Sequence, residues 1–289
     1  MMYLYILLFV KNRNFIVFFV CLFAQLAFAQ TLPLDKVDSH LNNGISEHDR
    51  AFYEKNTIAC IYTDENGMKM PYRLFLPPGY NPNKEYPLLL SLHGAGSRGD
   101  DNLKQLRPWI AGWMDEKVQN EYPCIILMPQ CPIKKQWVNV PWKEGSYMLK
   151  DIPISQPMKL AKEIFDKIVK EESVEKKRIY VMGASMGGYG TWNFVMHYPK
   201  LVAAAVPICG AGDPLMVKKI RKIPIWAFHG DKDKVVPLTG STDMINSLKS
   251  LKKNKARVTI YEGVGHNSYA RAWKESELIE WLFSQEKHK

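Results

Sequence analysis

Ser185 stands in Gly183-Ala184-Ser185-Met186-Gly187-Gly188, between an apolar run at 178–183 with strand character and a second one with helix character. A serine at so sharp a strand-to-helix turn is lifted out at the carboxyl edge of a sheet, where open α/β folds bind ligands. Residues two before and two after it nearly touch, and Gly183 and Gly187 carry no side chain to collide there. Its hydroxyl is a weak nucleophile until a base takes the proton. The base in turn needs a carboxylate to fix its tautomer and stabilise its cation. Two later loops supply these groups. Asp231 and Asp233 follow the strand-like run 223–230, and His266 follows the run 256–262. The order serine, aspartate, histidine, each at a strand end, is a pattern for acyl transfer. Asp231, directly after His229-Gly230, fits a turn cap; Asp233 lies further into the loop, and both remain open at this stage.

The oxyanion formed in such chemistry needs two positioned N–H donors. One is expected from the backbone of Met186, next to the nucleophile, and the other from the loop 92–102, at Ala95 within His93-Gly94-Ala95-Gly96. His93 and His229 also close strand-like runs and precede glycines, and both read as loop-bracing residues. Trp137 and Trp142, in the segment 130–142 after a strand at the active edge, are candidates for stacking on a sugar or aromatic acyl group.

These residues need a frame. Strand-like runs occupy 57–63, 68–76, 86–94, 123–129, 178–183, 202–210, 223–230 and 256–262. The first two flank Asp64-Glu65-Asn66-Gly67, a hairpin signal. Helical stripes lie between later runs: Ala161, Ile164, Phe165 and Ile168 behind Ser155 and Pro157; Met244, Ile245, Leu248 and Leu251; and a last helix from about 269 to 283. Another helix closes before Pro199. A hairpin followed by strand–helix repeats predicts an eight-stranded, mostly parallel sheet with helices on both faces. Only residues 211–222 separate two consecutive strands, so no lid domain is expected there.

Lys11 and Arg13 precede the apolar run Phe15 to Ala29, which ends in Ala27-Phe28-Ala29. That is the pattern of an export signal cleaved before Gln30, and it is short for a bilayer span of about 20 residues. The expected organisation is therefore a signal peptide at 1–29, a polar lead-in at 30–55 and a catalytic domain at 56–289, exported to periplasm or exterior with no stable membrane span in the mature form. The full chain carries a formal charge of +10. Without Lys11 and Arg13, and with no acids lost, this becomes 10 − 2 = +8. The lysines fall at helical spacing, as on solvated helix faces, and no aromatic-interleaved basic stretch points to nucleic acid. Cys60, Cys124, Cys131 and Cys209 show no metal-binding spacing and are expected to be unpaired.

Four motifs in chain order then resemble one superfamily. Leu92-His93-Gly94-Ala95-Gly96, Gly183 to Gly188, His229-Gly230-Asp231-Lys232-Asp233-Lys234-Val235-Val236-Pro237 and Gly263-Val264-Gly265-His266 resemble the α/β-hydrolase superfamily, in particular secreted esterases related to the phospholipase/carboxylesterase group. Similar single-domain proteins include predicted peptidases, feruloyl and acetylxylan esterases and polyhydroxybutyrate depolymerases. The resemblance spans about residues 57–285 and implies the α/β-hydrolase fold, Asp233 as the triad carboxylate, ester cleavage, and neither metal nor organic cofactor. The expected partner is an ester substrate, with polysaccharide-linked acetyl or feruloyl esters as the leading class. The rivals are a prolyl-oligopeptidase-like serine peptidase, a lipase or phospholipase, and a non-catalytic binding protein on the same scaffold.

Overall fold

The structure, a computed structural model, describes residues 47–252 and 254–287. The expected export signal at 1–29 and the lead-in up to residue 46 lie outside the described residues.

All eight expected strands form one sheet: β1 (Ile58–Thr63), β2 (Lys69–Phe75), β3 (Tyr86–Leu92), β4 (Ile125–Pro129), β5 (Val174–Ala184), β6 (Ala204–Ile208), β7 (Trp226–Gly230) and β8 (Arg257–Tyr261), in the order β1-β2-β4-β3-β5-β6-β7-β8. β2 runs antiparallel to both β1 and β4, and all other pairs are parallel. At the β1–β2 turn, Gly67 takes a φ of 79° and the Asp64 carboxylate accepts the N–H groups of Asn66 and Met68. A left-handed residue costs glycine nothing, which is why the turn forms there.

The central strands are apolar on both faces because both are covered. Their side chains alternate between two cores. Leu88, Leu90, Leu92, Ile125, Leu127, Ile179 and Val181 enter one; Leu89, Ile126, Met128, Tyr180 and Met182 enter the other. Among the described residues nine helical segments surround them: α1 (Glu47–Asn56), α2 (Pro108–Ala111), α3 (Glu116–Glu121), α4 (Gln156–Glu171), α5 (Met186–His197), α6 (Val217–Ile220), α7 (Thr239–Lys249), α8 (Tyr269–Ala272) and α9 (Leu278–Phe283). α4, α5 and α7 pack into the first core. Residues of α1, α2, α8 and α9 fill the second. α4 begins as its sequence signals dictate: the Ser155 hydroxyl accepts the N–H of Met158, and Pro157 sits in the first turn.

Two segments differ from expectation. The end of the polar lead-in forms α1, held by fully buried Tyr53. The single helix expected over 269–283 is broken into α8 and α9. Trp273 ends α8 by stacking flat on Trp109, with ring centroids 4.0 Å apart. The following turn re-aims the chain so that Leu278 and Leu282 reach the core. Between β6 and β7, residues 211–222 hold a 3-10 turn, Pro214–Met216, and α6. No helix among the described residues is long and apolar enough to cross a membrane.

Candidate active site

β5 ends at Ala184 and α5 begins at Met186, so Ser185 alone makes the turn, at φ 57° and ψ −120°. That conformation is strained for a residue with a Cβ and persists because its surroundings dictate it. Its N–H donates to the Ile208 carbonyl (2.9 Å), and its carbonyl accepts the N–H of Tyr189 (3.0 Å). The flanking glycines allow the close approach. A Cβ on Gly183 would lie 2.5 Å from the carbonyl oxygens of Gly187 and Leu92, and one on Gly187 only 1.8 Å from that of Leu92. Gly187→Ala is therefore expected to destabilise the fold by about 3 kcal/mol or more, because backbone has to move. Gly265→Ala is the control: its Cβ would find nothing nearer than 3.8 Å. It should stay within about 0.5 kcal/mol of the parent in urea unfolding.

The sheet order puts β5, β7 and β8 close together, and their three carboxyl-end loops converge. The Ser185 hydroxyl lies 2.7 Å from His266 Nε2. On the far side of the ring, His266 Nδ1 lies 2.8 Å from Asp233 Oδ2. The Asp233 side chain is fully buried, whereas that of His266 is 24 % exposed. Asp233 Oδ1 accepts the N–H groups of Val235 (2.8 Å) and Val236 (3.0 Å). Burial by itself raises a carboxyl pKa. The hydrogen bonds from His229, His266 and these two N–H groups outweigh it and hold Asp233 well below the ordinary carboxylate range. Asp231 does not reach His266; its carboxylate faces Lys232 at 3.5 Å.

His229 does more than brace a loop. Its Nε2 lies 3.1 Å from the Val236 carbonyl and 3.4 Å from Asp233 Oδ2. Both are acceptors, so Nε2 carries a proton, and Nδ1 faces the Ser241 hydroxyl at 2.8 Å. The ring thus backs the same carboxylate oxygen that His266 uses.

His93, by contrast, holds the loop after β3. Its Nε2 accepts the N–H of Cys131 (2.9 Å), so Nδ1 carries the proton and donates to the Gly94 carbonyl (2.7 Å). Burial lowers its pKa to about 4. The unfolded chain then binds a proton that the folded chain refuses between pH 6.5 and 4. This residue is expected to take away about 1.4 kcal/mol of stability per pH unit as pH falls through that window. Urea unfolding as a function of pH should show that slope in the parent and lose it in His93→Gln.

A cleft of about 360 Å³ opens over Ser185 and His266, lined also by Gly94 to Ser97, Arg107, Trp109, Trp142, Val235 and Tyr269. Gly94 abuts Ser185: a Cβ there would be 3.7 Å from Ser185 Cβ. Ala95 follows it on the wall, and Met186 opens α5, whose first N–H groups have no partner inside the helix. Of the two expected stacking tryptophans, Trp142 lines the cleft. Trp137 does not. It is fully buried, its indole N–H donating to the His93 carbonyl (3.0 Å) and its ring packed edge-on against His93. It supports the loop from below and is not available to substrate.

Cys60, Cys124, Cys131 and Cys209 are free thiols. Cys209, Asp233 and His266 bring metal-ligating atoms within 4.8 Å of one another. Asp233 and His266 are already joined to each other, and burial pushes the Cys209 thiol up to about 12. That donor set suits the hydrogen-bonded relay better than a cation.

Arg107, Trp109 and Tyr269 were not expected in the cleft. The first two lie in a stretch, 95–122, without hydrophobic period. Tyr269 has a local signal, since it directly follows the 3-10 turn His266–Ser268.

Comparison with known proteins agrees with this architecture. Residues 148–279 match the dienelactone hydrolase family model. A crystal structure of a thermostable esterase is 37% identical, with a TM-score of 0.74 over 81% of this chain and 64% of that one. The bifunctional acetylxylan esterase/xylanase XynS20E of Neocallimastix patriciarum is 28% identical over 61% of this chain, and a probable chloroplastic glutamyl endopeptidase of Arabidopsis thaliana is 26% identical over 52%. The chain spans only 23% and 16% of the length of these two curated relatives. The sheet order and the serine-bearing turn give the chain the α/β-hydrolase fold, and it is similar to the dienelactone hydrolase family over residues 148–279.

Proposed function

We propose that the protein is a serine hydrolase of carboxylic esters, working through Ser185, His266 and Asp233. The observation that carries this reading is the continuous relay: 2.7 Å from the Ser185 hydroxyl to His266 Nε2, and 2.8 Å from His266 Nδ1 to Asp233. Because Asp233 is ionised and accepts from Nδ1, Nε2 is left unprotonated and faces the hydroxyl. His266 takes the Ser185 proton as Oγ attacks the ester carbonyl. The N–H groups of Met186 and Ala95 stabilise the tetrahedral oxyanion. As that intermediate collapses, the bond to the alcohol breaks and the alcohol leaves with the proton from His266. Water, deprotonated by the same ring, then cleaves the acyl-enzyme.

The substrate class we propose is an acetyl or feruloyl ester on a polysaccharide, met outside the cytoplasm after removal of the N-terminal signal. The relatives' esterase names, the aromatic wall at Trp109 and Trp142 and the export pattern support it. A peptidase is the second reading, favoured by the similarity to the endopeptidase. Purified protein should release acetate from acetylated xylan, or ferulate from methyl ferulate, far faster than it cleaves a peptide anilide. A peptide anilide turned over faster than every ester would transfer the conclusion to the peptidase.

A further inference from the structure

The serine, histidine and aspartate account for bond cleavage but leave Arg107 without a task. Among the described residues that line the cleft it is the one lysine or arginine, and no Asp or Glu lines the cleft with it. Its Nε donates to the Ser97 hydroxyl (2.7 Å) and its Nη2 to the Gly96 carbonyl (3.0 Å). Nη1 has no partner, and no carboxylate pairs with the guanidinium, among the described residues. Burial lowers its pKa, against the attraction of the Asp101 charge, yet an arginine keeps its charge. A partly buried cation with no carboxylate in contact is costly, and its planar fork matches a carboxylate ligand. Arg98 adds to the field: its Nε donates to the Ala95 carbonyl and its guanidinium lies 5.9 Å from the Trp142 ring. The chain's charge of +10 has the same sign.

We propose that the cleft is built for esters that carry a carboxylate near the scissile bond, and that Arg107 binds this carboxylate with the N–H groups it does not use on the loop. The inference rests on the ester-hydrolase reading. Within it, the substrate class narrows to acidic esters, such as those on a polysaccharide containing uronic acids. Arg107 is fixed at Nε and Nη2, so its free edge is pre-oriented, and a bidentate pair there discriminates by geometry as well as charge.

The carboxylate can sit on the acyl or the alcohol side, and two substrate pairs distinguish them. On the acyl side, mono-4-nitrophenyl glutarate is compared with 4-nitrophenyl valerate. On the alcohol side, an O-acetylated methyl glucuronoside is compared with the equivalent glucoside. In at least one pair the parent should prefer the anionic member in kcat/KM by about tenfold or more, and Arg107→Gln should cut that ratio by roughly ten- to a hundredfold. A loop-bracing role alone would lower both members equally and leave the ratio unchanged, which overturns the inference. A readout on the parent alone guards against misfolding of the variant. Glutarate should inhibit hydrolysis of the neutral ester competitively, and the anionic preference should shrink with added salt. No preference in either pair, or no inhibition by glutarate, also overturns it while the ester-hydrolase reading stands. Turnover of none of the four esters would instead defeat that reading and the inference with it.

Discussion

Ser185→Ala is expected to cut ester turnover by about 10⁴- to 10⁶-fold while the protein stays folded. The size follows from what the cleft holds. Among its lining residues the remaining hydroxyls belong to Ser97 and Tyr269. Ser97 is buried and receives the Arg107 guanidinium on its oxygen. Burial raises the Tyr269 pKa, so its phenolate is disfavoured at neutral pH. The Cys209 thiol is buried, raised to about 12, and hydrogen-bonded to the His266 carbonyl. None of them can take over the attack. The residual rate should come from the oxyanion donors and from binding alone. Alanine keeps the Cβ and adds no new clash at φ 57°, so unfolding should change by no more than about 1 kcal/mol. Steady-state assays of parent and variant, each reacted with a fluorophosphonate, provide the check. A variant retaining a hundredth of the parent's rate, or still labelled by the probe, would assign the attack to another group.

How far the sequence could be read divides along a physical line. The serine turn was legible because its constraint is local: Gly183 and Gly187 leave room where a Cβ would strike backbone. The strands were legible because burial on both faces demands apolar runs, and the alternation of Leu88, Leu89 and Leu90 between two cores is the period-two pattern itself. The cleft wall was not. Residues 95–122 form a 3-10 turn and two short helices with no period to detect. Their shape depends on contacts far along the chain: Arg73 donates to the Asn102 carbonyl, and Gln130 spans the Ser97 carbonyl and the Asp101 carboxylate. Hence Arg107 and Trp109 stayed invisible. The tryptophan pair shows the same limit from the other side. Trp137 and Trp142 share one short loop and one composition, yet one is buried beneath His93 and the other faces the cleft. Nothing in the spacing of the two encodes that difference.

Asp233→Asn is expected to lower turnover by about 10⁴-fold, whereas Asp231→Asn should stay within a few-fold of the parent. The argument is one of donors and acceptors. Asp233 Oδ2 accepts from His266 Nδ1 and backs onto His229 Nε2, while Oδ1 accepts two backbone N–H groups. Every neighbour is a donor. An asparagine has to point its NH₂ one way or the other. Toward His266, it turns Nδ1 into an acceptor, so Nε2 carries the proton and cannot take the one on Ser185. Toward Val235 and Val236, it sets donor against donor. The same residue links activity to acid stability, and the sign is fixed by its depressed pKa. A carboxylate held below its ordinary value of 3.8 adds stability that is fully present above that value. The contribution is lost only as pH falls through the depressed folded pKa. Asp233→Asn should therefore melt below the parent at neutral pH, and the gap should close as pH drops below about 4. Thermal melts from pH 7 to pH 2, beside rates for both asparagine variants, test the two halves together. Equal losses of rate at Asp231 and Asp233, or a melting gap that widens in acid, would show that the buried carboxylate is not the partner that sets the histidine.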